Sequence, residues 1–240
     1  MIRKNTLIHA LPALQGSESS LLTIDSQETA DARQLAPAPG QPPRATALDG
    51  LDMTKWTTVP VSNDFAARAI SMYLMTDHRL LCPFDRKPFT KSLVQPELHA
   101  YCTPSLVNAL MYWCCVLTFH SLSHTERYTY SAKQMYSSID PDSVRLAELF
   151  RVEAERLLSV ETQAATALSM TTEMFLNLGY IVQGKDHASV RHLSNASKIA
   201  IELGLFGVPE EVTQAALELM TEEERRAAAY PTWGVFNWTV

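Results

Sequence analysis

An all-α fold, an irregular bundle of antiparallel helices, is what this sequence predicts, and three features of it do so. The stretch TPSLVNALMYWCCVLTFH at 103–120 is apolar around most of a helical circumference, so neighbours must bury it on several sides. The segments before and after it carry apolar residues at three- and four-residue spacing, punctuated by Ser, Thr or Asp at their starts and Gly at their ends. No Val- and Ile-rich run alternates with period two anywhere in the chain, so nothing competes as a strand.

In chain order, residues 1–50 read as a disordered tail or linker. The stretch APAPGQPP at 36–43 is half proline, which neither a helix nor a central strand tolerates. Folded structure is expected to begin between Leu51 and Pro60. Ser62 is a good N-cap for a first helix, with Phe65, Ala69, Tyr73 and Leu74 on its inner stripe and an end near Thr76, where Asp77, His78 and Arg79 follow. Pro83 and Pro88 are expected to limit LLCPFDRKPF to a single helical turn, with Leu80, Leu81, Phe84 and Phe89 anchoring it to the core. A short helix at 89–94 would stop before Pro96.

Thr103 caps the central helix and Pro104 takes its first position, where a missing N–H costs nothing. Leu106, Leu110, Trp113 and Leu117 form its stripe, widened by Ala109, Cys114 and Val116. Residues 121–141 are polar and without clear period. A third long helix starts at Asp142 or Ser143. Leu146, Leu149, Phe150, Ala154, Leu157 and Leu158 are expected inside, and Arg151, Glu153, Glu155 and Arg156 on the solvent side. A fourth spans 162–178, through Ala165, Leu168, Phe175 and Leu176, with Gly179 as its C′ residue. A fifth runs from His187 through Val190, Leu193, Ala196, Ala200 and Leu203 to Gly204. Pro209 opens a sixth, ending near Met220, and Thr221 with Glu224 forms a capping box for a seventh. The chain then finishes in TWGVFNWTV. Trp233 and Phe236 share a helical face there, so either this segment closes the bundle or the domain continues beyond it.

Composition narrows the function. At 46% hydrophobic and 19% charged the chain is globular, and a net charge of −6 argues against its coating nucleic acid or an anionic membrane by itself. Cys82, Cys102, Cys114 and Cys115 form no CxxC pair and read as buried thiols of a reducing compartment. The first apolar run is broken by Asn5, Thr6 and His9, unlike a signal peptide, and no stretch approaches the ~18–20 apolar residues of a membrane span. An intracellular soluble protein is expected.

Candidate chemistry is thin. His120 and His124 have metal-ligand spacing, but only Glu126 is near as a third ligand, and polar residues at a helix end explain them better. His187 and His192, five apart, are expected at the surface or capping. Cys82 or Cys102 with His78 or His99 would make a nucleophile and base, without a nucleophile motif around them. No glycines cradle a phosphate, no carboxylates gather on an apolar helical face, and Arg225 and Arg226 alternate with glutamates as on a solvated face. The chain reads as a scaffold, not an enzyme, with no cofactor of its own.

An ordered set of segments resembles a known family. They are WTTVPVS at 56–62 with Trp56, ISMY at 70–73 ending in Tyr73, Asp77 with His78, and PFDR at 83–86 with Phe84 and Asp85, leading to Phe89. YCTPSLVNAL at 101–110 follows, with Cys102, Pro104, Leu106, Asn108 and Leu110, and Trp113 just beyond; then AERLL at 154–158 with Leu157. ASKIAIELGL at 196–205 holds Leu203, Gly204 and Leu205, and Glu224, Arg225 and Arg226 precede TWGVFN at 232–237 with Trp233 and Phe236. Together, over 52–240, these are similar to the regulatory domain of fungal binuclear zinc cluster transcription factors. The resemblance implies a nuclear regulatory domain at 51–240 that controls RNA polymerase II transcription by sensing a small-molecule inducer or a protein partner. In the family, DNA and zinc are bound by an N-terminal cluster of six cysteines that is not among these residues, and the domain continues past the FN motif. This chain is therefore expected to contact DNA only through a module it does not contain, to bind no zinc, and to be incomplete at its C-terminus. The alternative is a stand-alone helical protein that self-associates or acts as an inhibitory partner of a full-length factor.

Overall fold

The computed structural model describes residues 45–81, 83–123, 142–161 and 165–239, apart from the side chains at 98–100 and 118–123. Residues 1–44 of the expected tail, Cys82, His124, Glu126 and Val240 lie outside the described residues, as do the side chains of His99 and His120. Among those described there are nine α-helices and no strands. They are α1 (Asn63–Met75), α2 (His78–Leu81), α3 (Arg86–Val94), α4 (Pro104–Ser123), α5 (Ser143–Glu161), α6 (Ala167–Val182), α7 (Asp186–Glu202), α8 (Glu210–Glu218) and α9 (Glu222–Thr239). No helix among them is long and apolar enough to cross a membrane.

Local chemistry sets most boundaries. The Ser62 hydroxyl accepts from the Phe65 N–H at 3.1 Å, and the Thr103 hydroxyl from the Leu106 N–H at 3.3 Å. Thr221 and Glu224 bond reciprocally as a capping box. Gly204 follows α7 with φ +71°, the left-handed conformation a side chain would resist.

α4 packs against α1, α5 and α6, while α6 packs against α4 and α7, and α9 lies across α6 and α7. The central helix is thus α4 as expected, but α6 is its equal: every residue at 169–180 is buried. Each fully buried Leu or Met, such as Leu106, Leu110 and Met111, contributes roughly 1.5–3 kcal/mol by leaving water. A second, smaller cluster joins Met170, Met174, Ala196, Ile199 and Ala200 to Phe206 and Val235.

Several elements differ from expectation for identifiable reasons. Leu48 and Leu51 are buried, so packing reaches N-terminal of the expected boundary. The residues after α1 form the extra turn α2. Pro88 sits in the first turn of α3, where its missing N–H needs no partner, so that helix starts at Arg86 and not at Phe89. Leu80 is 86% exposed and Val190 65%, so neither anchors anything. Gly179 is not a C′ residue: α6 runs through it to Val182, and the turn falls instead at Gly184, φ +67°.

Candidate functional site

The motif residues fall into two groups. The first is structural. Trp56 donates its indole N–H to the Leu93 carbonyl at 3.0 Å, while its own carbonyl accepts from the Asn108 amide at 2.9 Å. Asn108 also donates to the Pro104 carbonyl and accepts from the Thr57 hydroxyl at 2.6 Å, so this buried amide ties the start of α4 to the segment before α1. Leu106, Leu110 and Trp113 of the same helix are buried in the main core, while Pro104 and Leu157 are half-buried.

The second group surrounds a cleft of about 360 Å³. Phe84 and Phe89 form one side as a stacked pair with ring centroids 4.0 Å apart. Behind them His78 stacks on Phe84 at 4.8 Å and Tyr73 packs edge-on against Phe175. Burial, with the nearby Arg86 charge, lowers the His78 pKa to about 4, so this ring is a neutral packing element. The N-terminal end of α6 supplies Thr166, Ala167, Leu168 and Thr171; Leu203 comes from the end of α7, Leu219 and Met220 from the turn between α8 and α9, and Ala227 and Ala228 from α9. At the mouth, Asp85 caps α3 by accepting from the Lys87 N–H and takes the Arg226 Nε–H at 2.8 Å. Tyr101 donates to Glu223 at 3.0 Å. Gly204 and Leu205 are buried at the turn that carries Leu203, whereas Trp233 is 47% exposed, stacked on the half-buried Phe236 at 5.3 Å.

A separate buried polar network was not foreseen. His192, expected at the surface, is only 4% exposed. Its Nδ1 lies 2.5 Å from Glu173 and its Nε2 3.3 Å from Glu155, with its ring stacked on Tyr180. Tyr180 donates to Glu155 at 2.6 Å and accepts from Arg151, which also reaches the other Glu155 oxygen at 2.7 Å and pairs with Glu148. Asn195 donates to Glu173 at 3.1 Å. Burial alone would lower the His192 pKa, but hydrogen bonds to Glu155 and Glu173 and their negative charges outweigh it, so the pKa is raised. Burial likewise opposes ionisation of Glu155, yet hydrogen bonds from His192 and Tyr180 and the Arg151 charge bring it down to about 2. Burial and the bond to Glu155 push Tyr180 up to about 12. Arg151, Glu153 and Glu155, expected on the solvent face of α5, are thus drawn inward; Glu153 is buried between Arg156 and the Thr58 hydroxyl. No spacing within one helix signals this site, because its members come from α5, α6 and α7.

Cys102 is buried, and burial together with the Glu161 charge raises its thiol well above the ordinary range, the opposite of an activated nucleophile.

Among known proteins, the chain is similar to F-box only protein 30 of Mus musculus, with 27% identity over 165 residues covering 64% of this chain. The match spans only 20% of that protein's length. No protein-family model matches the sequence. No solved structure matches it either.

Proposed function

We propose that this chain is the regulatory domain of a fungal-type transcription factor that controls RNA polymerase II transcription in the nucleus by sensing a bound ligand or partner. One observation carries the reading: Phe84, Asp85 and Phe89 from one motif, Leu203 from a second and Arg226 from a third meet around a single cleft. Residues this far apart in sequence share a site because helix packing brings them there, and a common ligand is a reason for those motifs to occur together. The polar side chains around the cleft are engaged in holding helices in place, which supports binding over chemistry. In this reading, DNA and zinc belong to the cysteine-cluster module of the resembled family, outside these residues. The test is a tethered reporter. Fused to an unrelated DNA-binding domain and directed to the nucleus, the chain should change reporter transcription relative to that domain alone, and a soluble but silent fusion would count against it.

A second reading, a stand-alone helical interaction partner, is favoured by the exposed indoles of Trp233 and Trp238 on α9. Silence at the tethered reporter combined with repression of a co-expressed full-length zinc cluster factor would select it.

A further inference from the structure

The chemistry of the cleft wall narrows what it accepts. Its middle is apolar, formed by the stacked Phe84 and Phe89 with Leu168 and Leu203. The polar side chains on it already have partners inside the protein. Thr171 donates to the Pro83 and Ala167 carbonyls, and Thr166 shares hydrogen bonds with Ser169. Tyr101 donates to Glu223, Asp85 takes Arg226 and the Lys87 N–H, and Glu224 accepts from Thr221. A ligand with several hydrogen-bonding groups would have to break these bonds or leave its own groups unpaired. An anion would meet the carboxylate of Glu224, which also accepts from the Thr221 N–H and hydroxyl, while the charge of Asp85 is already answered by Arg226. At about 360 Å³ the space falls in the range of small-molecule sites, roughly 300–1,000 Å³.

We propose that this cleft binds a neutral, largely apolar small molecule of aromatic or alicyclic character. The inference rests on the sensing reading above. It is measured by binding and not by transcription, so either can fail without the other.

The probe is N-phenyl-1-naphthylamine, neutral and two-part aromatic, titrated into the purified full chain and followed by its fluorescence. Saturable single-site binding is expected, with weaker binding of the anionic 8-anilinonaphthalene-1-sulfonate. Ala227→Trp, from α9, and Leu168→Trp, from α6, fill the cleft from two different helices and should each weaken binding about tenfold or more. Circular dichroism melts identify a variant that fails to fold, in which case the other decides. Trp233→Gln with Trp238→Gln should leave binding unchanged, since those indoles do not line the cleft. Absence of saturable binding overturns the proposal. So does insensitivity to a folded filling variant, loss on changing the two exposed tryptophans, or preference for the anionic dye.

Discussion

Gly179 of α6 lies against the ring of Tyr112 of α4, so closely that a Cβ there would stand 2.2 Å from the nearest ring carbon. The ring has little room to retreat, because Tyr112 is fully buried with Tyr180 packed edge-on at 6.0 Å. Gly179→Ala should therefore cost about 1–3 kcal/mol by overpacking. The Tyr112 hydroxyl has no hydrogen-bond partner among the described residues, so Tyr112→Phe should be neutral or stabilise by up to about 1 kcal/mol. Urea denaturation measures both, and a Gly179→Ala variant as stable as the parent would mean the helices do not approach this closely.

This contact shows what the sequence can and cannot reveal. A glycine after an apolar stripe looks like a helix end, and Gly204 is one, because capping depends on neighbours along the chain. Gly179 serves a meeting of two helices instead, and no local pattern distinguishes the two uses. The same division separates Thr103 and Ser62, legible as caps, from Glu155, Glu173 and His192. The α5 carboxylates and arginines stand at three- and four-residue spacing as on any solvated face, and only the packing of α6 and α7 turns them inward. The burial of α4 was legible because it is apolar all round, whereas the cleft draws on residues from five separate parts of the chain.

Asn108 should be among the least replaceable side chains. Asn108→Ala deprives the Trp56 and Pro104 carbonyls of donors and the Thr57 hydroxyl of its acceptor. The expected loss is about 2–4 kcal/mol, and Asn108→Asp, which keeps the shape but removes both donor hydrogens, should lose nearly as much. Denaturant midpoints check this; an Asp variant close to the parent would mean that shape and not hydrogen bonding matters there.

The His192 network predicts a pH dependence with a definite sign. His192 has a folded pKa raised above its ordinary 6.5. Its contribution is therefore complete below about 6.5 and is lost as pH rises through the raised folded value. Glu155 is lowered from 4.5 to about 2, so its contribution is present above 4.5 and lost as pH falls towards 2. The imidazolium faces Glu155 and Arg151 of α5, Glu173 and Tyr180 of α6, and Arg191 of its own helix, and the carboxylates dominate. The stability gap between the parent and His192→Gln should be wide at about pH 5.5 and shrink by about pH 8.5. Chemical denaturation at both values measures it; a gap that widens with pH would show that His192 is buried neutral, and a constant one that folding leaves its pKa unshifted.

The last helix separates packing from exposure on its two sides. Ala228, Pro231, Thr232 and Val235 of α9 are buried, with Val235 seated among Met170, Met174 and Ala196. Phe236 adds an edge-on contact to Phe206 at 6.4 Å. Trp233 and Trp238 leave 47% and 44% of their surface in water, and large aromatic groups exposed to this degree favour self-association. Deleting 231–240 should therefore lower the thermal midpoint sharply, since several buried groups worth roughly 1.5–3 kcal/mol each are lost together. Trp233→Gln with Trp238→Gln should instead change stability by no more than about 1 kcal/mol, leaving the midpoint close to that of the parent, while reducing light scattering at high protein concentration. The two variants therefore separate the faces of one helix. An unchanged melt after the deletion, or a collapsed one after the double substitution, would mean that α9 presents to the core the side now assigned to solvent.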